Sequence, residues 1–75
     1  SVHTREYKLF QETLRQMRER QGVSQNELAR LLGVSQGYVS KCETGDLRLD
    51  IVQIHAFCDA LNVPFLELME QYESA

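Results

Sequence analysis

Apolar residues recur along the chain at the three- and four-residue spacing of amphipathic α-helices. Near the start, Phe10, Leu14 and Met17 share one face and predict a first helix over about residues 5–21. Later the pattern predicts a helix after the capping residue Asp50 and another from Pro64 to about Tyr72. The fourth helix would bury a stripe formed by Ile51, Ile54, Phe57, Cys58 and Leu61.

Two shorter helices are predicted between these, in the segment SQNELARLLGVSQGYVSKCETG at residues 24–45. Ser24 and Glu27 have the spacing of a capping box, and Gly33 suits the turn that ends the second helix. Leu28, Leu31 and Leu32 are expected to supply the apolar side, and Val34 to insert the turn into the core. Ser35 caps the third helix, over about residues 36–44. Two helices joined by a short turn containing glycine form a helix-turn-helix unit, whose second helix enters the DNA major groove.

The third helix divides into two faces. Val39, Cys42 and Glu43 cluster on one side, and the opposite side is formed by Gly37, Ser40, Lys41 and Thr44, flanked by Gln36 and Tyr38. A small, polar outer face can lie against base edges, although any surface helix also has a polar face. The Gln36 amide suits adenine N6 and N7, and the Lys41 ammonium suits guanine or a phosphate.

Length and charge fit such a binding domain. The 75 residues suffice for one domain, residues 1–75, in which residues 1–4 are expected to be a frayed end. The net charge is −3, but residues 1–48 carry all eight Lys and Arg and six of the eleven acidic residues. A basic side that carries the helix-turn-helix unit and an acidic side that faces away suit oriented docking on DNA.

Other classes of function find little support. Cys42 and Cys58 lack further ligands at zinc spacing, so no metal or other cofactor is expected, and reduced cysteines favour the cytoplasm. His55 has no partner at ligand spacing and is expected on the surface. No apolar run has the ~18 residues that a membrane span needs, and no membrane association is expected. No nucleophile and base stand at catalytic spacing, so no catalytic residues and no enzyme are predicted.

From about Leu14 to Glu70 the sequence resembles the lambda-repressor-like helix-turn-helix family, of the Cro/cI or XRE type. The resemblance implies an all-α bundle of five helices that binds double-stranded DNA, usually as a homodimer. It also implies that Gln25 contacts a phosphate, and that an Arg18–Glu43 salt bridge supports the scaffold. Base contacts would come from Gln36 and Gly37 after the Ser35 cap, and from Ser40 and Lys41 one turn later.

Some positions depart from the family pattern. Gly37 has no side chain at a position often used for base contact, and Tyr38 is bulky enough to reach a thymine methyl, a sugar or a dimer partner. Asp46 stands where a basic residue often contacts the DNA backbone, and Arg48 is expected to take over part of that contact. Leu49 replaces a frequent proline. These departures predict weaker non-specific affinity.

The last helix permits a different function. It is more apolar than a short terminal helix needs, so the domain could instead be a protein-interaction or antitoxin-like module. In the DNA-binding interpretation the same surface would form the dimer interface, through Phe65, Leu66, Met69 and Tyr72.

Overall fold

The structure, a computed structural model, describes residues 4–75, which form five α-helices and no strand. The helices are α1 (Arg5–Arg20), α2 (Gln25–Leu32), α3 (Gln36–Thr44), α4 (Ile51–Leu61) and α5 (Phe65–Ser74). This confirms the predicted all-α class. The predicted frayed end falls mostly on residues 1–3, which lie outside the described residues, whereas Thr4 caps α1 by accepting from the backbone N–H of Tyr7 at 3.2 Å.

The helix ends follow the capping chemistry of the sequence. Ser24 and Glu27 form the expected capping box at α2, and Asp50 forms a second one with Gln53 at α4. Gly33 ends α2 with φ of 72°, a left-handed conformation that costs glycine little. The last helix differs from the prediction, because Pro64 is its N-cap residue rather than its first residue, and it continues to Ser74.

The buried apolar side chains form one cluster to which all five helices contribute. α1 packs on α3 and α5, α2 packs on α3 and α4, and α4 packs on α5. Leu49 and Val63 add side chains from the connections before and after α4. The cluster consists of Phe10, Leu14, Met17, Leu28, Ala29, Val39, Cys42, Leu49, Phe57, Cys58, Leu61, Val63 and Leu68.

Three residues that were expected in the core lie outside it. Leu31, Val34 and Ile51 have exposed fractions of 61%, 38% and 59%. In so short a helix as α2, Leu28 and Ala29 alone are fully buried, and Leu31 lies beyond the edge of that narrow face. Ile51 is in the first turn of α4, whereas the buried residues of α4 begin at Phe57. These predictions were wrong because periodicity gives the direction of a face and not its extent.

Within residues 4–75 no single helix is long and apolar enough to cross a membrane. α4 and α5 reach that length and composition only as a pair, bent by 104° where they join.

Candidate nucleic-acid interface

The structure divides α3 as the sequence predicted. Val39, Cys42 and Glu43 are buried, whereas Gln36, Gly37 and Lys41 are exposed. Ser40 is half-buried. The exposed side is therefore polar, and at Gly37 it carries no side chain.

A buried ion pair fixes α3 to α1. Arg18 Nε donates to Glu43 Oε2 at 2.7 Å, and Arg18 Nη2 donates to Glu43 Oε1 at 3.0 Å. Arg18 Nη1 also donates to the carbonyl of Val23 at 2.8 Å, which ties in the chain before α2. A bidentate ion pair constrains both the distance and the relative orientation of the guanidinium and the carboxylate. It therefore holds α3 in a set orientation relative to α1 and the start of α2.

A chain of hydrogen bonds runs from this ion pair to the surface. Gln25 Nε2 donates to Glu43 Oε1 at 3.0 Å, and Gln36 Nε2 donates to Gln25 Oε1 at 2.7 Å. An ionised carboxylate only accepts, so Glu43 requires the NH₂ group of Gln25 to face it. The oxygen of Gln25 must then face Gln36, which in turn offers its own NH₂ group. The buried charge thus sets the orientation of both amides, including the exposed one at the start of α3.

Ser35 and Tyr38 are engaged within the protein. Ser35 Oγ accepts from the N–H of Tyr38 at 3.1 Å and caps α3. The Tyr38 side chain is half-buried against the core, and its hydroxyl accepts from Gln53 Nε2 of α4 at 3.1 Å. Burial raises the pKa of this phenol above its usual value. Tyr38 therefore links α3 to α4, in addition to any contact it makes outside the protein.

Two polar residues of α1 that the sequence analysis did not single out support the site. Gln11 is 2% exposed, and its Nε2 donates to the carbonyl of Cys42 at 2.8 Å near the end of α3. Tyr7 contacts the α3–α4 connection through its hydroxyl, and the guanidinium carbon of Arg48 lies 4.7 Å from the centre of its ring. In the sequence, the burial of Gln11 is indicated only by its position next to Phe10 in the apolar stripe of α1.

The predicted dimer residues lie along most of α5, from its first residue to its last turn. Leu66 is 73% exposed, while Phe65, Met69 and Tyr72 are half-buried. Phe65 stacks on the exposed His55 with ring centres 4.1 Å apart, and Tyr72 meets Phe10 edge-on at 5.8 Å. Three of the four residues thus support the core from outside, and Leu66 projects from it.

A comparison with protein-family models decides the family. Residues 10–71 match a model described as a helix-turn-helix domain. The chain belongs to this helix-turn-helix family. The match spans all of α2 to α4, most of α1 and all but the last turn of α5.

Solved structures similar to this helix-turn-helix domain include a gene regulator and a controller protein. An XRE-family like protein from Pseudomonas syringae pv. tomato is 32% identical, with 97% of this chain and 89% of that chain covered and a TM-score of 0.86. The restriction-modification controller protein C.AhdI from Aeromonas hydrophila is 35% identical, with 80% and 91% covered and a TM-score of 0.72. The clp gene regulator ClgR from Corynebacterium glutamicum is 27% identical, with 89% and 87% covered and a TM-score of 0.82. No curated protein sequence matches significantly.

These findings confirm the resemblance to XRE-type regulators, and they place this helix-turn-helix domain among non-enzymatic DNA-binding regulators. Residues 4–75 contain no group of three or more His, Cys, Asp or Glu side chains able to hold a metal ion. Cys42 and Cys58 are free and buried, and burial raises the pKa of both thiols. Both cysteines therefore behave as core side chains.

Proposed function

We propose that this domain binds a specific double-stranded DNA sequence as a homodimer and regulates transcription there, with α3 in the major groove. The observation that carries the proposal is the hydrogen-bond chain from the Arg18–Glu43 pair through Gln25 to Gln36. It places an oriented amide at the exposed start of α3. Orientation before binding matters because an amide that is already fixed loses less entropy when it meets a base.

The hydrogen bonds within the protein leave Gln36 suited to adenine. One N–H of its NH₂ group is donated to Gln25, so a second N–H and the amide oxygen remain. One donor and one acceptor are what adenine needs at N7 and N6. Gly37 leaves room for the backbone to approach the bases, and Ser40 and Lys41 follow one turn later on the same helix.

Phosphate contacts would surround α3. Gln25 sits in the first turn of α2 beside Gln36, where the helix N-terminus also favours an anion. Arg48 lies in the connection after α3, and Ser35 and Tyr38 lie at its start. These contacts would fix the register on the duplex, while Gln36 and Lys41 would supply sequence discrimination.

The homodimer would form through the exposed face of α5, around Leu66 with Phe65, Met69 and Tyr72. Leu66 is 73% exposed, and the three apolar side chains around it are half-buried. Association with a second copy would remove this apolar surface from water. Two copies would then read half-sites whose centres lie about one helical turn apart, roughly 34–36 Å. Reduced Cys42 and Cys58 suit a cytoplasmic location for such a regulator.

Selection from a randomised pool of duplexes tests the proposal. We expect a two-fold-related site, and at that site Gln36→Ala should lower the affinity by about 1–3 kcal/mol without loss of helicity. Gln16→Ala is the matched control, because Gln16 is an exposed glutamine on α1 that donates to Glu12 of the same helix. Its affinity for the selected site should equal that of the unchanged protein.

Other outcomes are equally informative. If the pool yields no bound duplex, or if Gln36→Ala and Lys41→Ala bind DNA as well as the unchanged protein, the DNA-binding interpretation fails. Retained binding to a protein partner under those conditions would instead favour the interaction module, with the α5 face as its contact surface.

A further inference from the structure

Tyr7, near the start of α1, contacts the chain on both sides of Arg48. Its hydroxyl oxygen accepts from the N–H of Leu49 at 2.7 Å and donates to the carbonyl of Leu47 at 3.3 Å. Its ring lies beneath the guanidinium of Arg48, with 4.7 Å from the guanidinium carbon to the ring centre. One side chain therefore constrains both the backbone and the side chain of Arg48.

The connection that carries Arg48 lacks regular secondary structure and is held at its ends. At one end, the N–H groups of Asp46 and Leu47 bond to the carbonyl of Lys41 in α3. At the other end, Asp50 caps α4. Between these two points, Tyr7 bonds to the backbone of Leu47 and Leu49, which lie 40 and 42 residues later in the sequence.

We propose that Tyr7 is a positioning residue for DNA binding, which acts by holding Arg48 in the orientation that contacts the DNA backbone. The inference rests on the proposed function. A guanidinium held over an aromatic ring by a cation–π contact samples fewer orientations than a free one, and it can donate to a phosphate from the orientation that the ring favours. The flexible arginine is then largely ordered before the DNA arrives.

The size of the effect follows from side-chain ordering. Immobilising a flexible side chain on binding typically costs a factor of about two to ten in affinity, which a preformed orientation avoids. Tyr7→Phe keeps the ring and its contact with Phe10 but removes both hydrogen bonds to the connection. Without these bonds the backbone on both sides of Arg48 can shift and carry the guanidinium away from the ring, so we expect Tyr7→Phe to weaken binding to the selected duplex by about two- to tenfold.

A double-mutant cycle distinguishes positioning from a general effect on the fold. Affinity for the selected duplex is measured over a range of salt for the unchanged protein, Tyr7→Phe, Arg48→Ala and the double variant, with helicity checked at the binding temperature. Arg48→Ala should make the log–log salt slope shallower by about 0.9, one phosphate contact. When Arg48 is already alanine, Tyr7→Phe should have no further effect on affinity.

Lys41→Ala provides the matched background. Lys41 is also an exposed cation near the proposed DNA surface, but Tyr7 bonds to the neighbours of Arg48 and not to the Lys41 side chain, so Tyr7→Phe should keep its full effect there. Equal losses from Tyr7→Phe with and without Arg48 would overturn the proposal, and so would an Arg48→Ala variant with unchanged affinity and slope. If the unchanged protein binds no duplex, the proposed function itself fails, a result that is distinct from either of these.

Arg48→Lys keeps the charge and removes the planar group. If the cation–π contact with the Tyr7 ring orients the side chain, this variant should keep the salt slope of the unchanged protein yet lose affinity by about two- to tenfold. Full affinity in Arg48→Lys would overturn the positioning role, even where Tyr7→Phe is too unstable to assay.

Discussion

At the scale of single residues, a few buried polar atoms set the position of α3. The Glu43 carboxylate accepts from Arg18 twice and from Gln25 once, so its charge is satisfied inside the protein. Gln11 acts similarly on the preceding residue of α3, by donating to the carbonyl of Cys42. A polar group buried in this way is costly to leave without its partner, so each one favours a single arrangement of the helices.

The close approach of Gln11 to Gly45 gives a prediction at this scale. Gly45 has φ of 100°, and a Cβ atom there would lie 2.9 Å from Gln11 Oε1. Gly45→Ala should therefore destabilise the fold by about 1–3 kcal/mol, from backbone strain together with displacement of Gln11. Chemical denaturation measures this change.

Gly33→Ala is the matched control for that measurement. Gly33 has φ of 72°, but a Cβ atom there meets nothing within 4 Å. It should show the backbone strain alone and so destabilise the fold less than Gly45→Ala. Equal losses at the two glycines would show that Gln11 yields freely and does not fix the end of α3.

At the scale of elements, α3 is too short to be stable by itself and depends on its caps and its packing. Its N-terminus is capped by Ser35, and its buried face is Val39, Cys42 and Glu43. Gly37 in its first turn weakens the helix, since glycine has a larger conformational entropy to lose than alanine. In a helix that binds DNA, this loss of helix stability is tolerated where a side chain would prevent the backbone from approaching the bases.

Gly37→Ala separates stability from binding. A Cβ atom at Gly37 would lie 3.9 Å from Ser35 Oγ, an ordinary contact, so the variant should gain about 0.5–1 kcal/mol in the free energy of unfolding. Calorimetry would show a higher Tm. Affinity for the selected duplex should fall, because the new methyl group occupies the point of closest approach. Higher stability with unchanged affinity would contradict the placement of Gly37 against the bases.

At the scale of the whole molecule, the acidic and basic residues are unevenly distributed along the chain. Residues 49–75 contain five acidic residues and no Lys or Arg, and among them Glu67 and Glu70 flank Leu66 on the exposed surface of α5. Two such surfaces repel one another when two copies associate. Added salt screens that repulsion but weakens contacts with phosphates. Dimerisation and DNA binding should therefore respond to salt in opposite directions.

Leu66→Glu tests the dimer surface. The variant should be a monomer by sedimentation velocity under conditions where the unchanged protein is a dimer, and it should bind a duplex with two half-sites about 100-fold more weakly. Leu31→Glu is the matched control, since Leu31 is 61% exposed on α2, away from α5. Loss of the dimer in both variants, or in neither, would contradict an interface centred on Leu66.

The sequence by itself determined the elements and the surface that α3 presents. Capping residues such as Ser24, Ser35 and Asp50 act on amides within three residues of themselves, so local chemistry was enough to place the starts of α2, α3 and α4. Helical periodicity then separated Val39 and Cys42 from Gln36 and Lys41, because it depends only on the angle between successive residues.

The tertiary structure alone decided how far each face is buried and which distant side chains meet. Leu31 and Ile51 fit an apolar stripe yet remain exposed, because burial depends on where the neighbouring helices end. Tyr7 contacts a connection some forty residues later, and Gln11 contacts α3 across the core. Such contacts depend on the packing angles between helices, and these angles cannot be deduced from the spacing of residues along one helix. The chain from Glu43 through Gln25 to Gln36, on which the proposed function rests, exists for the same reason.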